Sequence, residues 1–311
     1  MAQRVLPAQP RLARRRRISR ERMREAGAAY LFLLPTILGL LVFTAGPVLA
    51  SAYLSFTRWD LLSAPRWIGL NNYQSLLQDQ TFWVCVKNTL YFTAVSVPVG
   101  AILALLLAML MNMPLRGVSI YRAIYFVPVV SSTVAVALMW QWLYEPDFGL
   151  INYVLGWLFP HMSPIRWLAS PTWAMPAIII MSIWQNLGFN MIIYLAGLKG
   201  ISSEYYEAAQ IDGAGRWARF RHVTVPLLSP VTFLVVILSV IGSFQVFDAA
   251  YVLTQGGPVN ATRTIVYYLY QNGFQFFQMG YAAAIAYVLF VATLLVTLLQ
   301  FLVQRYWVHY E

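Results

Sequence analysis

The chain has 311 residues, of which 60% are hydrophobic and only 10% charged, and its formal net charge is +10. A soluble domain carries about 25% charged residues, so composition excludes an ordinary water-soluble fold and makes lipid the solvent for most of the chain. A single cysteine, Cys85, excludes an intrachain disulfide framework.

The positive charge is concentrated at the start. Nine Arg fall in the first 24 residues, including Arg14, Arg15, Arg16 and Arg17. An apolar segment follows at once, so residues 1–27 read as a cytoplasmic tail that touches anionic headgroups, not as a nucleic-acid arm. A cleaved signal peptide is not expected, because the apolar segment is long, contains Pro35 and Pro47, and lacks a small-residue cleavage site.

Residues 28–311 then read as one all-α domain of six transmembrane helices. The apolar stretches are 30–56, 86–112, 119–144, 173–198, 227–250 and 281–303, each long enough for a span of about 20 residues. Helix is required because lipid offers no partner for free N–H and C=O groups. With the N-terminus inside, sixteen Lys and Arg lie in inner segments and five in outer ones. That bias places both termini in the cytoplasm of a bacterial or archaeal inner membrane. The outer connections are rich in Trp, Tyr and Gly-Pro turns and suit contact with a soluble partner.

The inner connection 199–226 differs in kind. Ser202 or Ser203 caps a helix that contains Glu204, Tyr205, Tyr206, Glu207, Ala208 and Ala209. Gly213 is placed to end it in a left-handed conformation. A second amphipathic segment follows, with Trp217, Phe220 and Val223 on one face, and Pro226 is expected to stop it.

Glu207-Ala208-Ala209, three residues, Gly213, nine residues, Val223, one residue, Val225-Pro226 resembles the E-A-A motif of ATP-binding-cassette (ABC) importer permeases. Asp212 and Ala214 extend the match toward the carbohydrate-uptake branch, and two apolar exchanges, Val223 and Val225, are its departures. The resemblance extends to Gly69-Leu70-Asn71-Asn72-Tyr73, Asn88-Thr89, Phe247-Asp248 with Tyr251, Leu253, Thr254 and Gly256-Gly257-Pro258, and Gly280-Tyr281-Ala282.

The resemblance implies a type I importer permease of the maltose, glycerol-3-phosphate and oligosaccharide type. It implies that the loop docks on an ATPase subunit through Glu207, Ala208, Ala209, Asp212, Gly213, Tyr206 and Pro226. The implied partners are two ATP-binding-cassette ATPase subunits, a second permease that is a different chain, and an extracytoplasmic solute-binding protein. ATP and magnesium would sit on the ATPase subunits, with no cofactor in this chain.

The chain itself has no nucleotide motif: Lys87 precedes Asn88 and Lys199 precedes Gly200, so neither completes a phosphate-binding loop. His161, His222 and His309 are scattered, and no metal site or catalytic cluster is expected. Asn186 and Asn190 in the fourth span, and Gln245, Phe247 and Asp248 near the end of the fifth, mix amide, carboxylate and aromatic groups as a sugar site does. These five residues are the candidate substrate path. An ion-coupled carrier is the competing reading, but such carriers place ionisable groups centrally in their spans, and here none is central.

Overall fold

The computed structural model describes the backbone of residues 20–114 and 116–308. Most of the basic tail expected over 1–27, and His309, lie outside the described residues. The chain divides after Ala50 into two compact units.

The first unit is helical. It comprises α1 (Arg20–Leu40), a π-helical turn (Leu41–Ala45) and the start of α2 (Gly46–Ser55). The looser turn has a sequence cause. Pro47 has no N–H for the Phe43 carbonyl, and the Gly46 N–H reaches back five residues to Leu41 O. Large apolar side chains such as Phe32 and Phe43 stand exposed along it, as a lipid-facing helix requires.

The second unit begins with a two-residue antiparallel pairing of β1 (Thr57–Arg58) and β2 (Arg66–Trp67), and α3 (Asn71–Gln78). The helices α4 (Gln80–Met111), α5 (Val118–Val130), α6 (Thr133–Leu143), α7 (Leu150–Leu158) and α8 (Ala174–Gly200) follow. Then come α9 (Ser203–Ile211), α10 (Arg216–Arg219), α11 (Val225–Leu227), α12 (Ser229–Phe244), α13 (Asp248–Thr254), α14 (Ile265–Tyr270) and α15 (Met279–Gln304).

Four helices are long and apolar enough to cross a membrane, and two bent pairs raise the count to six if each pair is one span. Both bends break stretches read from sequence as single spans. The third stretch breaks by 102° between α5 and α6. Ser131 and Ser132 turn extended there, one turn after Pro128, and the Ser131 hydroxyl donates to the Val127 carbonyl.

The fifth stretch bends by 63° at Leu228, not at Pro226 as expected. Pro226 lies inside the continuing helix, after a π turn at Phe220–Thr224. The break falls where Pro230 cannot donate to the Pro226 carbonyl, and the Ser229 hydroxyl donates to it instead at 2.6 Å. The same span ends at Phe244, short of residue 250, and Asp248 opens the separate helix α13.

Helices α4 and α8 form the centre of this unit. Ala101, Ala104 and Ala108 of α4 pack with Met191, Tyr194 and Leu198 of α8 near one end. Phe92 packs with Met175, Ile178 and Ile179 near the other. Small residues set the approach of neighbours, since lipid gives helices no hydrophobic reason to associate. A Cβ on Gly188 would lie 2.0 Å from the Tyr125 carbonyl oxygen, so only glycine lets α5 meet α8.

Candidate functional site

A cavity of about 380 Å³ opens among α4, α6, α8 and α12. Asn186, Asn190, Gln245, Phe247 and Asp248 all line it. Two helices place them. Asn186 and Asn190 are four residues apart on α8 and so share a face. Gln245, Phe247 and Asp248 occupy the short irregular link where α12 stops and α13 starts.

The polar groups are held by neighbours. Buried Asn190 donates to the Ser239 hydroxyl at 3.4 Å, and buried Gln185 donates to Thr133 at 3.2 Å. Asn186 donates to the Ser182 carbonyl of its own helix at 2.9 Å. The Phe247 ring stacks on Tyr251 at 5.3 Å and meets Tyr270 at 5.2 Å, so it joins the cavity to an aromatic cluster.

Gln185, Ser239, Ser243 and Gly242, which are not among the five expected residues, also line the cavity. The four-residue spacing of Ser239 and Ser243 was the available signal. Gly242 leaves open space where a side chain would stand, which adds room to the cavity.

At the end of the unit near the α4 N-terminus, the connections are tied to the helices. Asn72 donates to the Ser55 and Thr57 carbonyls at 2.8 and 2.9 Å, and Tyr73 hydrogen-bonds Ser55. Asn88 donates to the carbonyls of Asn260 and Arg263, while the Thr89 hydroxyl accepts from the Ile265 N–H. The turns of the Gly256-Gly257-Pro258 loop are closed by Thr262, which bonds Thr254 at 2.6 Å and Gly257 O at 2.7 Å. These bonds give physical roles to three of the short motifs.

Asp79 is a further tie. One of its oxygens accepts from the Thr81 and Phe82 N–H groups and caps α4; the other accepts from the Tyr268 and Tyr281 hydroxyls at 2.5 and 2.7 Å. Burial pushes its pKa up, but the four hydrogen bonds outweigh burial and hold it below the ordinary carboxylate value. Tyr268 is pushed up to about 12 by burial and by its bond to Asp79. The aspartate, with Arg58, Trp59, Phe276 and Phe277, lines a second cavity of about 840 Å³.

At the opposite end, α9 and α10 protrude. The Ser202 hydroxyl caps α9 by accepting from Glu204 N–H, and Gly213 ends it at φ +79°. Glu207, Ala208, Asp212 and Gly213 are exposed, with Ala209 and Tyr206 partly buried. Tyr206 ties the loop to the start of the fifth stretch through a 3.1 Å bond to Thr224, and Arg219 reaches back to Gln210 at 3.3 Å. Pro226 is partly buried at the base. Ile211 and Trp217 are 87% and 70% exposed, although both are large and apolar. No group of three His, Cys, Asp or Glu able to hold a metal occurs among the described residues.

With this geometry in place, the relatives are informative. The chain is similar to a probable ABC transporter permease, YesP of Bacillus subtilis (strain 168), at 41% identity over 91% of this chain and 92% of that one. It is 38% identical to the lactose transport system permease LacF of Rhizobium radiobacter, over 89% and 93% of the two chains.

Its fold is similar to that of a chain in the crystal structure of a bacterial alginate ABC transporter in complex with an alginate pentasaccharide-bound periplasmic protein. The TM-score is 0.80 at 26% identity, covering 91% of this chain and 96% of that one. None of the relatives supports an ion-coupled carrier. Residues 96–308 match the binding-protein-dependent transport system inner membrane component family. The chain therefore belongs to that family: it is a multi-pass inner-membrane permease subunit of an ABC importer, in which ATP hydrolysis resides in separate subunits.

Proposed function

We propose that this permease moves a carbohydrate through the cavity bounded by α4, α6, α8 and α12. The observation that carries the reading is the lining itself. Amide groups of Asn186, Asn190 and Gln245, the Asp248 carboxylate and the Phe247 ring converge on one space of about 380 Å³. Amides and carboxylate match sugar hydroxyls, and an aromatic face covers the C–H surface. The volume falls within the usual range of roughly 300–1,000 Å³ for small-molecule sites. Relatives named for lactose and alginate transport support the class.

The α9–α10 loop is the coupling element. Glu207, Ala208, Ala209, Asp212 and Gly213 form its tip, Tyr206 and Pro226 its base. The exposed tip presents an apolar and acidic surface to an ATPase subunit that holds ATP and magnesium. Two such ATPases and a second, different permease complete the assembly. A solute-binding protein delivers cargo at the end where Asn72, Asp79 and Asn88 fasten the connections. Both termini then lie on the cytoplasmic side with α9.

Uptake of labelled oligosaccharides by proteoliposomes holding the full assembly, binding protein and internal ATP tests this. Gly242→Trp fills the cavity from a position with open space, and uptake is expected to stop while thermal stability is retained. Uptake at the native rate by this variant would place the route elsewhere.

A further inference from the structure

The charge of the cavity defines its cargo more narrowly, on the reading of that cavity as the sugar route. Among the described residues, Asp248 is the one charged side chain in the lining, and no Lys, Arg or His contributes to it. The remaining polar lining is amide and hydroxyl, including Gln185, Asn186, Asn190 and Gln245. Arg122 does not reach the cavity: its guanidinium donates to the Met111 carbonyl at 2.7 Å.

Helix ends add fixed partial charges of about half a unit each. The N-terminus of α6 reaches the lining at Thr133, where it is positive. The C-terminus of α12 reaches it at Gly242 and Ser243, where it is negative. The C-terminus of α5, also negative, reaches the lining at Val129, so these helix ends leave no net positive field. The short α13 begins with Asp248 itself, so its positive end already has a carboxylate beside it. What remains is the full negative charge of Asp248. Sites that take carboxylate or phosphate groups supply guanidinium, ammonium or unopposed N–H groups. This lining supplies acceptors and neutral donors, and no cation to pair with a carboxylate or phosphate.

We propose that the cavity admits uncharged saccharides and disfavours acidic ones, with Asp248 as the residue that sets the preference. Its two oxygens accept from sugar hydroxyls and repel carboxylate or phosphate. The similarity to a transporter of alginate, an acidic polysaccharide, then extends to the fold and not to the charge of the cargo. Glycerol-3-phosphate and uronates are disfavoured on the same ground.

The test uses the full permease–ATPase assembly in lipid nanodiscs without the binding protein, so that selection by that protein does not enter. Calorimetric titration compares neutral tri- to pentasaccharides with the same sugars oxidised at C6 to uronates. The expected result is binding of a neutral member at least tenfold tighter than its uronate. Asp248→Asn should narrow that ratio to below about threefold by raising uronate affinity. Raising salt should narrow it in the native assembly as well.

A uronate that binds as tightly as its neutral parent, or a ratio unmoved by Asp248→Asn, overturns the charge preference. If Asn190→Ala weakens both sugars in that case, the cavity is still the sugar route. If no saccharide binds and Gly242→Trp leaves uptake intact, the route itself is wrong and the charge preference falls with it.

Discussion

The two ends of the Ser51–Glu311 unit are built in opposite ways. Near the α4 N-terminus, side chains far apart in sequence fasten the connections: Asn72 to Ser55 and Thr57, Asn88 to Asn260 and Arg263, Asp79 to Tyr268 and Tyr281. At the α9 end, one bond from Tyr206 to Thr224 and one from Arg219 to Gln210 brace a loop whose apolar residues Ile211 and Trp217 face outward. The first end is held by hydrogen bonds between distant parts of the chain. The second has shorter-range ties and exposes Ile211 and Trp217, as the first exposes Leu62 and Val259, and burying one such side chain is worth about 1.5–3 kcal/mol. A fastened end suits a rigid gate framework, and an unfinished surface suits a partner that supplies the energy.

Substitutions should separate the two ends. The largest loss is expected from Gly280→Val at the fastened end. A Cβ there would sit 1.9 Å from the Thr57 carbonyl oxygen, so the backbone must move at a cost of about 3 kcal/mol or more. Thermal unfolding in detergent would show a marked fall in Tm, and an unchanged Tm would deny the close approach. Asp79→Ala removes a helix cap and two tyrosine bonds, for about 2–3 kcal/mol by the same measurement.

The same carboxylate predicts a pH dependence. Its folded pKa lies below the ordinary value, so its stabilisation is complete above the unfolded pKa and is lost as pH falls through the folded one. The Tm difference between the native chain and Asp79→Asn should hold from neutral pH down to about pH 5, then shrink below about pH 4. A difference that grows on acidification contradicts the hydrogen-bonded carboxylate.

At the unfinished end the effects on stability are smaller. Tyr206→Phe removes one bond, for about 0.5–1.5 kcal/mol. Glu207→Ala on the exposed tip should stay within about 0.5 kcal/mol, with its consequence visible only in coupled function.

Much of the helical layout was legible in the sequence because apolar runs of span length have one outcome in lipid. The loop was legible because Ser202, Gly213 and the Glu207-Ala208-Ala209 triplet are local signals. The breaks were not. The 102° turn depends on Ser131 and Ser132 together, and both flanks are apolar. Pro226 misdirected the expected stop, since the carbonyl left without a helical donor is its own: Pro230, one turn on, cannot donate to it, and the Ser229 hydroxyl does.

Asp79 directly before an apolar helix could have been read as a cap. Its tyrosine partners are distant in sequence, and no local pattern points to them. The five candidate cargo residues do share one cavity, whereas Gln185 and Ser239 were missed because single amide and hydroxyl groups in a span also serve helix packing.

The most direct test of the account is ATP hydrolysis and saccharide uptake measured together on one reconstituted assembly, comparing the native chain with Glu207→Ala and Gly213→Pro. The left-handed φ of +79° at Gly213 is closed to proline, so the second change should distort the loop without reaching the cavity. Both variants are expected to assemble, loaded binding protein should no longer stimulate hydrolysis, and uptake should fall at least tenfold. Native coupling in both variants, or solute movement by the chain alone on an ion gradient, would contradict it.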